Sequence, residues 1–252
     1  MLYDYKNGLN RIRNILDSPN EVEVIDSKIP KDENQWSFKN GKKAWVSAIF
    51  VDIVDSTKLF TGQIKDTTIA KMMRAFCSEI IRILKIDENY RQIGIRGDCV
   101  YGIYSTPNRE DLYEIYNTSV AINTFMGVLN KELKSKSLPC IEFGIGIAAS
   151  ESLIIKAGVS GESGSLNDKI WIGESVSFAS KLSSVAGRSG FDKILISENF
   201  YINLIIHIKE LGFSETISWF KEVGCNAIEG KVYEYNLINI EINNWLTNNY
   251  QD

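Results

Sequence analysis

The chain has 252 residues, 44% hydrophobic and 24% charged, an ordinary globular balance with enough apolar residues for one sizeable core or two small ones. Its formal net charge is −4 and its pI about 5.3, which argues against a general nucleic-acid binder, because a phosphate backbone is neutralised by clustered Lys and Arg. A small phosphate ligand stays open, since metal ions and a few cations can meet its charge.

Cys77, Cys99, Cys140 and Cys225 are widely spaced, with no C-x-x-C pair, and His207 is the sole histidine. That pattern argues against a zinc site and a disulfide framework, and fits reduced cysteines in a cytosolic protein. No apolar stretch approaches the roughly 20 residues that span a bilayer. The N-terminus has no uninterrupted apolar centre, so it does not read as a signal peptide. A cytoplasmic location and no membrane partner are expected.

In chain order, Leu2, Tyr5, Leu9, Ile12 and Leu16 predict an amphipathic helix over 2–17, stopped by Ser18-Pro19-Asn20. Residues 19–42 read as a polar connecting segment, so 1–42 is set apart from a main domain at 43–252. The run Ala44 to Val51 is almost continuously apolar, as in a strand buried on both faces. It ends in Asp52-Ile53-Val54-Asp55-Ser56-Thr57, an acidic and hydroxyl-rich turn suited to a helix N-terminus. Ile69, Met72, Met73, Phe76, Ile80 and Ile83 mark a long helix. Gln92–Arg96 and Cys99–Tyr104 read as a hairpin across Gly97-Asp98, although the commoner order for such a turn is Asp-Gly.

A helix carrying Leu112, Ile115, Ile122, Met126, Leu129 and Leu133 follows. A strand is expected at Ile141–Ala148, a second around Ser152–Val159, and a loop at Gly158–Gly164. A helix from about Glu174 to Ala186 precedes a strand at Lys193–Ile196, and Lys231–Tyr235 is again β-like. The order β-α-β-β-α-β predicts an α+β fold of the ferredoxin-like kind, one sheet covered by helices.

Two carboxylates stand out by placement. Asp52 ends a buried strand and Asp98 sits at a hairpin tip, so if the two elements are neighbours both could hold the same ions. Alone, each also fits an ordinary turn cap. The backbone from Ile53 to Thr57, with the hydroxyls of Ser56 and Thr57, offers a seat for a polyphosphate or simply an N-cap.

Four stretches in order carry a resemblance: Phe50 to Thr57, Gly97-Asp98, Phe143-Gly144-Ile145-Gly146-Ile147, and Gly173 to Leu182. Over roughly 44–200 the chain resembles the class III adenylyl and guanylyl cyclases. The resemblance implies two divalent metal ions (Mn2+ or Mg2+) on Asp52 and Asp98 with help from the Ile53 carbonyl. It also implies a nucleoside triphosphate substrate and a head-to-tail homodimer with active sites at the subunit interface.

Departures from the family pattern are equally informative. The helix positions that usually hold Asn and Arg carry Ser177 and Lys181; their spacing of four keeps both on one face, and Lys keeps the charge without the bidentate fork. The two positions that read adenine carry Gly94 and Ile170, neither able to pair with a purine edge. Arg96 could face the base, the triphosphate or solvent. This pattern resembles the bacterial pyrimidine cyclases of antiphage defence, which make cyclic UMP or cyclic CMP for a separate effector protein. UTP or CTP is therefore the expected substrate. An adenylyl or guanylyl cyclase with unusual base contacts, or a catalytically inactive nucleotide-sensing relative, stays open.

Overall fold

The computed structural model describes residues 3–58, 64–159 and 166–249. At its centre runs β2 (Asn40–Ile53). Its side chains alternate between two apolar clusters: Val46, Ala48 and Phe50 enter one, Ile49, Val51 and Ile53 the other. A strand with two buried faces needs the continuous apolar run read in the sequence. β4 (Cys99–Ser105) and β5 (Phe143–Val159) flank β2, both antiparallel to it, and β3 (Tyr90–Arg96) lies outside β4. With α2 (Asp66–Leu84) and α3 (Arg109–Ser135) between them, these strands form the βαββαβ unit in the order β3-β4-β2-β5. The ferredoxin-like α+β expectation holds.

One face of the sheet carries α2, α3 and α5 (Glu198–Glu210). Ile69, Met72, Phe76, Ile80 and Leu84 fall on one side of α2 and are buried. At about 1.5–3 kcal/mol for each large apolar side chain, this stripe fixes the helix far better than its propensity could. The N-cap of α3 is Asn108, whose N–H donates to the Asp111 carboxylate at 2.9 Å, a reach-back that satisfies an end group.

The opposite face carries α4 (Glu174–Ser183) and the segment before β2, which buries Ile29 and Trp36 there. Two glycines set the closeness of α4. A Cβ on Gly146 would lie 2.1 Å from the Ala179 carbonyl, and one on Gly144 would lie 2.2 Å from the Ala186 carbonyl. Helix backbone therefore rests directly on strand backbone, which accounts for the Gly-x-Gly in β5.

Several boundaries differ from the sequence reading. β5 is one strand of 17 residues rather than two, because its pairing with β2 continues through Ser150 and Ser152. Those hydroxyls act on the helix instead of turning the chain: Ser150 accepts from the Ser175 N–H at 2.9 Å, and Ser152 bonds the Ser175 hydroxyl. α4 stops at Ser183 and gives way to turns. Gly158 and Val159 belong to β5 and pair with Asn167 and Leu166 of β6 (Leu166–Ile172); the rest of the expected loop lies outside the described residues.

The C-terminal third is built into the same sheet. β7 (Ile194–Ser197) runs parallel to β5, followed outward by β9 (Val232–Tyr235) and β8 (Lys221–Val223). Tyr235 is fully buried and hydrogen-bonds Ser119 of α3 at 2.7 Å. α6 (Ile240–Asn249) buries Leu246. At the other terminus, α1 (Tyr5–Leu16) is capped by the Asp4 carboxylate and leaves Tyr5, Leu9, Ile12 and Leu16 exposed; Leu2 lies outside the described residues. β1 (Glu21–Val24) pairs in parallel with the start of β2. Among the described residues no helix is long and apolar enough to cross a membrane.

Candidate active site

Asp52 lies one residue from the end of β2, on the face shared with Phe50 and α4. Its register partner across the sheet is Cys99, the first residue of β4. Asp98 is the residue before it. Adjacent antiparallel strands thus bring both carboxylates to one end of the sheet. Arg96 and Cys99 close the hairpin, leaving Gly97-Asp98 as its two central residues. Gly97 has φ +63°, as the first central position of a type II′ turn requires, which is why the order is Gly-Asp here.

Burial lifts the Asp52 carboxyl above its ordinary pKa; a hydrogen bond from Arg188 opposes that rise, and the charge of Asp98 adds to it. A carboxylate whose charge is disfavoured both by burial and by a neighbouring acidic group gains from a cation shared with that neighbour. The donor set fits a hard divalent ion: two carboxylates and the Ile53 carbonyl, all oxygens. Among the described residues no group of three or more His, Cys, Asp or Glu side chains could hold a metal. Such an ion would therefore depend on carbonyl, water and nucleotide oxygens, the habit of Mg2+ at phosphate sites.

After Ile53 the chain turns sharply. Asp55 has φ +53°, and its carboxylate pairs with Lys58, which holds its pKa below the usual value. Val54 donates its N–H to the Glu142 carbonyl at 2.8 Å. Ser56 is half-buried in the turn, and Thr57 is exposed at a helical position directly after it.

The cation at this site is one that sequence reasoning missed. Arg188 Nη2 donates to Asp52 Oδ2 at 2.8 Å and to the Ile53 carbonyl at 2.9 Å, the same oxygens expected to serve an ion. Its only sequence signal is an arginine in a Gly-Arg-Ser-Gly turn. Ser177 and Lys181, by contrast, lie on the exposed side of α4, where the Ser177 hydroxyl donates to the Gly173 carbonyl and Lys181 lies over the Phe178 ring. Neither contacts Asp52 or Asp98 of its own chain among the described residues.

Gly94 of β3 faces Tyr101 across the hairpin, and a Cβ there would lie 2.6 Å from the phenol oxygen. Tyr101 thus covers the spot where a longer side chain would project, and it stacks on Phe50 with ring centroids 5.1 Å apart. Ile170 is exposed on β6. Two residues before each of these positions, on the same faces, sit Gln92 and Asp168, which sequence reasoning also missed. Gln92 donates to Asp168 at 3.1 Å and accepts from the Trp171 indole at 2.6 Å, so its amide orientation is fixed. Arg96 is exposed next to the turn.

Solved cyclase structures share this fold. The adenylyl cyclase CyaB of P. aeruginosa superposes with a TM-score of 0.59 at 19% identity, covering 77% of this chain and 94% of that one. The guanylyl cyclase Cya2 gives 0.58 at 13% identity, covering 79% and 95%. At these identities the likeness is one of fold, that of the class III nucleotidyl cyclases. No protein-family model matches the chain. The sequence is 43% identical over 211 residues to a uridylate cyclase of Treponema porcinum, covering 84% of this chain and 72% of that protein. It is 31% identical over 258 residues to a uridylate cyclase of Gulbenkiania mobilis, covering 98% and 97%. The chain belongs to the uridylate cyclase family, as the resemblance to pyrimidine cyclases led one to expect, and it shares its fold with the adenylyl and guanylyl cyclases.

Proposed function

We propose that the protein converts UTP to cyclic UMP and pyrophosphate, the 3′-hydroxyl of the ribose attacking the α-phosphate. The observation that carries this reading is the meeting of Asp52 and Asp98 at one sheet end, in a chain whose curated relatives are uridylate cyclases. Asp52, Asp98 and the Ile53 carbonyl hold two divalent ions (Mn2+ or Mg2+), which when bound activate the attacking oxygen and neutralise charge on the phosphates. The turn from Ile53 to Thr57 seats the triphosphate with its N–H groups and the hydroxyls of Ser56 and Thr57. The protein's share of catalysis is then positioning and charge.

The base sits against β3 and β6. Tyr101 over Gly94 narrows that space, and Ile170 offers no polar group, which favours a single-ring base over a purine. Arg96, Gln92 and Asp168 are the polar groups at hand for its edge. Ser177 and Lys181, exposed on α4, act in the site of a second copy in a head-to-tail homodimer, where Lys181 balances charge on the α-phosphate. The product is a second messenger for a separate effector protein in a cytoplasmic antiphage system, a role supported by the resemblance to the defence cyclases. If expression with its effector gave Asp52→Ala cells the same phage protection as wild type, that role would be lost.

One experiment tests the activity. The purified protein is incubated with ATP, GTP, CTP and UTP in turn with Mn2+, and products are read by mass spectrometry. Cyclic UMP as the dominant product is expected. A cyclic purine would keep the enzyme class and overturn the base assignment, and no product from any of the four would point to the inactive, nucleotide-sensing alternative.

A further inference from the structure

Arg188 joins two parts of the molecule. Besides its bonds to Asp52 and the Ile53 carbonyl, its Nη1 donates to the Ser183 carbonyl at 3.0 Å and the Ala186 carbonyl at 3.3 Å, at the end of α4. The turn that carries it is tight. Gly187, Ser189 and Gly190 all have positive φ, and Gly187 N–H to Asp192, Arg188 N–H to Val185 and Phe191 N–H to Arg188 close it on itself. The guanidinium therefore lands on Asp52 because the fold aims it there. It spreads one positive charge over the same carboxylate and carbonyl oxygens that a divalent ion would take. A hard ion needs those oxygens at about 2.0–2.2 Å, and each already holds a nitrogen close enough to repel it.

We propose that Arg188 is the resident cation of the Asp52–Ile53 oxygen pair, holding it until a divalent ion arrives and then turning to the triphosphate. This rests on the ion site of the proposed function. Arg188 makes ion binding by the nucleotide-free protein weak and couples it to the nucleotide, whose phosphates give the freed guanidinium a new, bidentate partner. The same exchange frees the turn after α4 from β2. Arg188 is in this sense a positioning residue, setting when Asp52 becomes available.

The test reads ion binding directly. Free Mn2+ is followed by electron paramagnetic resonance during titration of wild type, Arg188→Ala and Arg188→Lys, each alone and with 3′-deoxy-UTP, which cannot cyclise. Without nucleotide, Arg188→Ala should bind Mn2+ at least about fivefold more tightly than wild type, with Arg188→Lys between, and the gain from 3′-deoxy-UTP should shrink in the alanine variant. Equal or weaker Mn2+ binding by Arg188→Ala would overturn the proposal. If Arg188→Ala does not melt as a folded protein, Arg188→Gln is read by the same criterion. Adding Asp52→Ala to the arginine variant separates the two claims. Loss of the gained affinity places the ion on Asp52, whereas unchanged affinity would sink the ion site itself.

Discussion

Asp52 is costly to the fold and useful to the site for the same reason. Burial disfavours its charge, and the neighbouring Asp98 adds to the cost, so an uncompensated pair would be a liability. If the pair exists to hold ions, Asp52→Ala or Asp98→Ala should lower turnover by more than about 1,000-fold, equivalent to about 4 kcal/mol. Thermal unfolding should stay cooperative. Near-normal cyclic-nucleotide production by either variant with Mn2+ present would remove that residue from the machinery. Asp87 is costly for a small return, the hydrogen bond that its Oδ1 accepts from the Asn89 N–H at 2.8 Å. Burial raises its pKa, and its Oδ2 is buried without a hydrogen-bond partner among the described residues. A raised folded value means that the folded state binds the proton more tightly than the unfolded chain. Asp87 therefore costs no stability below the ordinary carboxylate range, and its cost grows as pH rises through the folded value. Asp87→Asn should be the more stable protein at neutral pH, with the gap in Tm closing towards pH 4. A gap that widened on acidification would reverse the assignment.

Among the elements, α4 carries the most consequence for its length. It has ten residues, yet its position sets both the exposed pair Ser177 and Lys181 and the turn that delivers Arg188. That position is set by backbone contact at Gly144 and Gly146 together with the buried side chains of Ala179 and Leu182. Gly146→Ala puts a methyl 2.1 Å from the Ala179 carbonyl, so the helix must lift. A loss of about 1–3 kcal/mol in stability is expected, the usual cost of overpacking, with a larger proportional loss of activity. Denaturant unfolding and turnover measured on one preparation check this; an unchanged protein would show that α4 tolerates displacement. The sequence displayed the two glycines as part of a motif, but not what they were for.

At the scale of the whole molecule, one chain brings Asp52, Asp98 and Arg188 together and leaves Ser177 and Lys181 outside. A head-to-tail pair would complete each site from both copies. Chains carrying Asp52→Ala and chains carrying Lys181→Ala should each be inactive alone. Co-expressed in equal amounts, they should regain about a quarter of wild-type activity, because half the dimers are mixed and each has one intact site. No recovery, with mixed dimers shown present by mass spectrometry, would place Lys181 in its own chain's site or in none.

The sequence by itself determined the layering of this protein and its two aspartates. A short run apolar at every position but Ser47 reads as a strand buried on both faces, and a stripe at helical spacing reads as a helix against a sheet, so Ala44–Val51 and Ile69–Ile80 were legible from chemistry alone. Asp52 and Asp98 were legible because each breaks an apolar or glycine context. Tertiary structure decided what touches them. β5 continues through Ser150-Glu151-Ser152 because β2 offers it a partner along its whole length, information that lies about a hundred residues away in the chain. The Tyr101 phenol covers Gly94 through cross-strand register, and Gln92 meets Asp168 across 76 positions. Arg188 gave no signal in the sequence beyond an arginine between glycines. Only the packing of α4 on glycine, and the left-handed turn that follows, aim its guanidinium at Asp52, 136 positions earlier.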